Sequence, residues 1–238
     1  MMISDEHRFV FVHIYKTGGS SLTKLVAGLV EPTHRQAEPR TSGPGWQETW
    51  HLEGGQHWKM GHLRTRPGWA DRDLSDYLLI TFVRNPYSWI LSVWNDFYRH
   101  RANPGAGHFE RLYPDCTFGS FCRFVDACSG GLNPGLWGMT TQGSFIDDVD
   151  GIAPRRRFVG RLERFEADIH ALSERLGLAT GEVPHEVRHD NGDRGSWIDH
   201  YTDESLEIVN RVFASDFERF GYEQVFVTNP TTAARRAA

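Results

Sequence analysis

Apolar positions fall into two unbroken runs and several stretches of helical period. Phe9-Val-Phe-Val-His-Ile14 and Tyr77-Leu-Leu-Ile-Thr-Phe-Val83 are continuous, β-prone and of strand length. Runs of this kind suit strands of a parallel sheet covered on both faces. A third, shorter strand is expected at Arg156-Arg-Phe-Val-Gly160. Helical spacing governs Leu22-Thr-Lys-Leu-Val-Ala-Gly-Leu-Val30, and Ile90, Val93, Trp94 and Phe97 after Asn85-Pro86. A short helix is expected over Phe118 to Cys128. Phe165, Ile169, Leu172 and Leu176 form another apolar stripe, which Gly177 stops. Thr202 reads as an N-cap with Asp203 and Glu204 behind it. Leu206, Val209, Val212, Phe213 and Phe217 then make one stripe that ends at Gly221.

Strand, turn and helix recur twice in order, which predicts an α/β fold with a mainly parallel sheet. Ligands of such folds sit at the carboxyl ends of the strands. Residues 1–228 are expected to form a single domain and 229–238 a loose tail. The stretch from Glu31 to about Trp69 is irregular and rich in Pro, Gly, His and Trp. So long a connection is expected to be functional or partly structured. Residues 101–116 and 129–144 read as Gly- and Pro-rich loops.

Between the first strand and its helix lies Lys16-Thr-Gly-Gly-Ser-Ser21. Glycines let a backbone approach an anion closely. The N–H groups of a first helical turn point at that anion, and the helix dipole favours it. Lys16, Thr17, Ser20 and Ser21 add side-chain donors, so this turn is expected to cradle a phosphorylated nucleotide. It is not a Walker A motif, because Lys16 precedes Gly18 and Gly19 instead of following them. The second strand also runs into Arg84, not into a magnesium-binding aspartate. Arginine grips phosphate bidentately. Ser92 stands eight residues on, about two helical turns, and its hydroxyl is a second candidate donor.

Composition constrains the rest. The 238 residues are 39% hydrophobic and carry a net charge of −5, so no basic footprint for nucleic acid is expected. The opening Met1-Met-Ile-Ser-Asp-Glu-His-Arg8 reads as polar and acidic, without the apolar region of a signal peptide. No run reaches the roughly 20 apolar residues of a membrane span. The expected compartment is the cytoplasm, and Cys116, Cys122 and Cys128 are expected to be reduced structural thiols.

His13-Ile-Tyr-Lys-Thr-Gly-Gly-Ser-Ser-Leu22 resembles the 5′-phosphosulfate loop of the sulfotransferases, and Phe82-Val-Arg-Asn-Pro-Tyr-Ser-Trp-Ile-Leu-Ser92 their 3′-phosphate segment. Phe158-Val-Gly-Arg-Leu-Glu163 and Ser215-Asp-Phe-Glu-Arg-Phe-Gly-Tyr222 resemble recurring segments of the carbohydrate-type branch. The resemblance runs from about Phe9 to Phe226. Tyr15 is a departure, standing where the family commonly has proline. The resemblance implies a P-loop-like, three-layer α/β fold with a mainly parallel central sheet flanked by helices. It also implies sulfuryl transfer from 3′-phosphoadenosine 5′-phosphosulfate (PAPS) to an acceptor hydroxyl, with no required metal. Carried over, Lys16, Thr17, Gly18, Gly19, Ser20 and Ser21 hold the 5′-phosphosulfate, and Arg84 and Ser92 the 3′-phosphate. Lys16 also neutralises the leaving oxygen.

The acceptor needs a general base, and histidine suits that role near neutral pH. His51, His57, His62 and Glu53 all lie between the two anion turns. A Gly-His pair recurs there in related enzymes, which favours His62 in Lys59-Met-Gly-His-Leu-Arg64. Trp46, Trp50, Trp58 and Trp69 either stack on an acceptor or pack in the core. Arg155, Arg156 and Arg157 either reach the nucleotide or are solvated. Carbohydrate is the first expectation for the acceptor, and a cytoplasmic small or lipid-linked one fits the absence of an anchor. A nucleotide kinase and an inactive nucleotide-binding regulator are the competing readings.

Overall fold

Each unbroken apolar run forms a strand whose two faces are both covered, although the first strand stops at Phe11, short of the expected Ile14. The computed structural model describes residues 1–34, 36–39, 46–49, 52, 55–99, 106–129, 140–147, 151–178 and 197–226; the side chains of 36–39, 46–49, Phe97 and Ala106 lie outside that description. His51, Glu53, Trp50, the loop glycines at 130–135 and the 229–238 tail are also outside it. Six strands occur among the described residues: β1 (Met2–Ser4), β2 (Phe9–Phe11), β3 (Gln36–Pro39), β4 (Trp46–Thr49), β5 (Leu78–Val83) and β6 (Arg156–Arg161). The helices are α1 (Gly19–Val26), α2 (Pro86–Val93), α3 (Ala106–Leu112), α4 (Phe118–Cys128), α5 (Phe165–Leu176), α6 (Asp203–Val212) and α7 (Ala214–Phe220). They divide between two compact units. The first is Met1–Val83 with Ser144–His189, and the second Arg84–Gly143 with Asp190–Ala238.

The first unit holds a four-stranded sheet in the order β1-β2-β5-β6. β2 pairs with β5, and β5 with β6, in parallel, while β1 runs antiparallel to β2. The fold is therefore mixed α/β with a mostly parallel sheet and flanking helices. On one face Phe9, Phe11, Ile80 and Phe82 pack against Leu22 and Val26 of α1 and Ile169 and Leu172 of α5. The alternate positions Val10, Leu79 and Val83 are fully buried too. That is why both runs are continuous instead of alternating. Each such side chain contributes about 1.5–3 kcal/mol by leaving water. β3 and β4 form a separate antiparallel hairpin.

The second unit is helical. Tyr98, Phe109, Phe121 and Phe124 meet edge to face or tilted at 4.5–6.1 Å between centroids. Tyr87 stacks on Trp197 and touches Tyr201 and Phe217. The Tyr87 hydroxyl donates to Asn210 Oδ1 and accepts from the Val225 N–H, fastening residues near the C-terminus to α2 and α6.

Several expectations are borne out. α4 spans Phe118–Cys128, α5 stops at Gly177 in a left-handed conformation, and Thr202 caps α6 by accepting from the Ser205 N–H. All three cysteines are free thiols. Glu31 to Trp69 is partly structured, as expected, holding the hairpin and a 3-10 segment, Met60–Thr65. Others are corrected. The opening residues are not simply polar: Met1, Met2 and Ile3 are buried, and their short apolar run forms an edge strand ahead of the charged turn at 5–8. α1 begins three residues before Leu22, because the helix starts inside the glycine turn. α3 lies within the expected 101–116 loop.

The helix after Pro86 changes to π winding over Trp94–Arg99. The wider turn carries Tyr98, five residues beyond buried Val93, to the apolar side, while Trp94 is only half-buried. The final stripe is two helices, broken at Phe213 with φ −107° and ψ 23°. Phe213 stays fully buried, so the break leaves the periodicity intact and is invisible to it.

Candidate active site

Two segments and one histidine carry the expected chemistry, and they fall in different units. In the first unit, β2 leaves the sheet with the Val12 N–H donating to the Ile80 carbonyl at 2.9 Å. Lys16 then takes a left-handed conformation, φ 63°, unusual for a residue with a Cβ. Gly18 follows at φ 84° as the N-cap of α1. A Cβ on Gly18 would lie 2.8 Å from the Phe165 ring, and one on Gly19 would lie 1.9 Å from the His13 ring. Packing beneath the loop thus demands both glycines, and the left-handed backbone demands Gly18 besides. Thr17 is buried and its hydroxyl donates to the Ile14 carbonyl at 2.8 Å, tying the turn closed.

α1 starts with no side-chain cap and no acidic residue in its first turn. Its leading N–H groups therefore present a positive helix end with no carboxylate of its own first turn competing for it. Ser20 is exposed, Lys16 half-buried and Ser21 buried. The mouth of the turn suits an anion.

Beneath the turn, His13 is buried, stacked on Phe11 and edge-on to His57 at 4.6 Å. Tyr15 is buried between His57 and Phe145, with ring centroids 5.8 and 5.5 Å away. The aromatic ring thus fills space where the family commonly has proline. His57 Nδ1 lies 2.9 Å from the His13 carbonyl oxygen. A carbonyl only accepts, so Nδ1 carries the proton and Nε2 the lone pair. Burial lowers the His57 pKa to about 4, opposed by that hydrogen bond.

His62 sits on the 3-10 segment, exposed, stacked on Trp58 at 6.0 Å. Its Nδ1 lies 2.9 Å from the Lys59 nitrogen and 3.3 Å from the Lys59 oxygen. The tautomer follows from which of the two it pairs with. Partial burial, then the positive charges of Lys59 and Arg66, lowers its pKa despite the hydrogen bond to Lys59. Arg66 lies over the other ring of this cluster, 4.1 Å from the Trp58 centroid. Burial lowers the Lys59 pKa, while Asp147 pulls it back up. Trp69 is a packing residue, buried against His34 and Arg72. Arg155 and Arg156 are exposed and Arg157 half-exposed on or beside the edge strand β6.

In the second unit, Asn85 caps α2 by accepting the Tyr87 N–H at 3.0 Å, and Pro86 occupies the first helical position. Arg84 Nε donates to Ser88 Oγ at 2.9 Å, and the Ser88 hydroxyl donates to the Asn85 carbonyl at 3.1 Å. Ser92 is half-buried further along α2. Sequence reasoning missed Gln142 and Asp216, both fully buried. The Gln142 side chain brackets the Arg84 backbone, and Asp216 holds Gln142. The Asp-Phe motif at 216 was a visible signal, but its contact 74 residues away was not.

The glycine turn and the arginine segment are each candidate anion-binding elements, and comparison with known proteins gives the class. A family model described as the sulfotransferase family matches residues 1–142. The chain belongs to the sulfotransferase family and is a transferase. The match spans Lys16 to Ser21, His62, Arg84 and Ser92, and ends before the resembling segments at 158–163 and 215–222. No curated protein matches the chain, and no solved structure does. Among the described residues no helix is long and apolar enough to cross a membrane.

Proposed function

We propose that the chain moves a sulfuryl group from PAPS to an acceptor hydroxyl, of a carbohydrate or glycoconjugate, by in-line displacement. The carrying observation is that one family match covers both anion segments and the histidine between them. Residues 1–228 act as one sulfotransferase domain with a P-loop-like, three-layer arrangement. The uncapped start of α1 and the absence of a first-turn carboxylate support the 5′-phosphosulfate assignment. The Arg84–Ser88 bond, which aims the guanidinium, supports the 3′-phosphate assignment with Ser92.

PAPS supplies an activated sulfuryl group and a phosphate leaving group. Gly18, Gly19 and Ser20 bind through backbone N–H groups, and Ser20 and Ser21 through their hydroxyls, since the Ser21 N–H already donates to the Gly18 carbonyl at 3.1 Å. Thr17 contributes its N–H, since its hydroxyl proton goes to Ile14. Lys16 stabilises negative charge as it develops on the bridging oxygen. His62 takes the acceptor proton at Nε2 in the tautomer whose Nδ1 proton faces the Lys59 carbonyl at 3.3 Å, which gives up the shorter bond that Nδ1 accepts from the Lys59 N–H at 2.9 Å. His57 is the alternative base with its tautomer already set, but its burial and low pKa make it the weaker proton acceptor. His62, exposed and less depressed, suits an incoming hydroxyl.

The test is transfer of labelled sulfate from PAPS to an acceptor panel, beside calorimetry with 3′-phosphoadenosine 5′-phosphate (PAP) and ATP. Labelled carbohydrate and tighter binding of PAP than ATP are expected. Binding of ATP in preference to PAP would restore the kinase reading, and PAP binding without turnover on any acceptor would restore the regulator reading.

A further inference from the structure

Arg84 is the first residue beyond β5, so its two backbone polar groups leave the strand ladder that serves the residues before it. Gln142 takes over that service. Its Oε1 accepts the Arg84 N–H at 2.9 Å, and its Nε2 donates to the Arg84 carbonyl at 2.8 Å. One side-chain amide thus makes the pair of bonds that a neighbouring strand would make. The amide has one orientation that satisfies both, so it fixes the Arg84 peptide in place.

Gln142 is itself held from α7. The Gln142 N–H donates to Asp216 Oδ2 at 2.7 Å, and the next N–H, of Gly143, donates to Asp216 Oδ1 at 2.8 Å. Both carboxylate oxygens are used on two consecutive peptides. Asp216 is fully buried in the first turn of α7, where the helix dipole favours its charge. Arg219, on the same helix, donates to the Gly143 carbonyl at 3.3 Å. The chain of contacts runs from α7 through 142–143 to the Arg84 backbone, and Ser88 fixes the Arg84 side chain at Nε.

We propose that Gln142 and Asp216 are positioning residues for Arg84, setting the enzyme's preference for a nucleotide that carries a 3′-phosphate without touching it. The inference rests on the reading of Arg84 as a 3′-phosphate ligand. It gives the Asp-Phe motif, which lies beyond the family match, a defined task in donor recognition.

The experiment titrates the full chain with PAP and with adenosine 5′-phosphate, which lacks the 3′-phosphate, and records a thermal melt for each variant. Gln142→Met keeps the length of the side chain and removes both bonds to Arg84. It is expected to weaken PAP about tenfold, the effect of roughly one charge-assisted contact, and to leave adenosine 5′-phosphate within twofold. Asp216→Asn is expected to shrink the same ratio. Should Asp216→Asn fail to fold, Gln142→Glu replaces it, since that side chain still accepts the Arg84 N–H but no longer donates to the carbonyl. Equal losses for both nucleotides would mean a merely structural role and overturn the inference. A wild-type ratio in the Gln142 variants beside a collapsed one in Arg84→Ala would overturn it and leave the Arg84 reading standing. A wild-type ratio in Arg84→Ala would remove that reading, and the inference with it.

Discussion

The Lys16 turn and the Arg84 segment are both anion-binding candidates at the ends of strands, yet they are held by different forces. The Lys16 turn is held mainly by shape, with one closing bond from the Thr17 hydroxyl to the Ile14 carbonyl. Gly18 and Gly19 leave room for Phe165 and His13, and Lys16 accepts a left-handed backbone to fit. The Arg84 segment is held by polar bonds, from Asn85 and Ser88 locally and from Gln142 and Asp216 at long range. A shape-held loop fails when an atom is added. A bond-held loop fails when a polar group is removed.

The largest expected effect is chemical. Lys16→Ala should lower kcat by about 10²–10³, the cost of removing one donor to a developing negative charge, with PAP affinity changed far less. A single-turnover assay beside calorimetry checks it; near-wild-type kcat would transfer the charge-stabilising role elsewhere. His62→Ala should lower kcat by about 10²–10⁴ as a lost general base, with PAP binding intact. A loss of PAP binding instead would make His62 a nucleotide contact.

Next comes the steric half of the comparison. Gly19→Ala should destabilise the first unit by about 1–3 kcal/mol through overpacking against His13, read as a lowered Tm. Ser92→Ala, by contrast, should leave Tm near wild type and weaken PAP several-fold, about 1 kcal/mol for one hydroxyl. The comparison breaks if the two variants exchange these signatures.

The pH effects are smaller. His62 has a pKa below the ordinary imidazole value, so the acid limb of kcat/KM should fall below pH 6.5. Lys59→Met should shift that limb upward, since it removes a positive charge that opposes protonation. His57 has a folded pKa near 4 against 6.5 unfolded. The unfolded chain therefore binds more protons between those values. Stability from this group is complete above about pH 6.5 and is lost as pH falls toward 4. His57→Asn, which keeps a donor to the His13 carbonyl, should flatten the Tm-versus-pH curve in that window.

Local features were legible. The strands β2 and β5 followed from runs buried on both faces, and α4, α5 and the Thr202 cap from spacing and capping chemistry. The Lys-Thr-Gly-Gly-Ser-Ser turn was legible because its lysine, glycines and hydroxyls are contiguous. The edge strand β1 was missed because three apolar residues were averaged with a charged turn. The break at Phe213 was missed because its side chain stays on the apolar stripe.

The sequence by itself determined the order of strand, anion turn and helix, and through it the sulfotransferase class, because those signals act between near neighbours. Only the tertiary structure decided why Gly19 must be glycine, since the ring that fills its place belongs to His13 on the far side of the turn. It alone separated half-buried His57 from exposed His62, which differ in packing and not in residue type. It alone joined Asp216 to Gln142 and Gln142 to Arg84, because hydrogen bonds over 74 and 58 residues leave no periodicity in the chain.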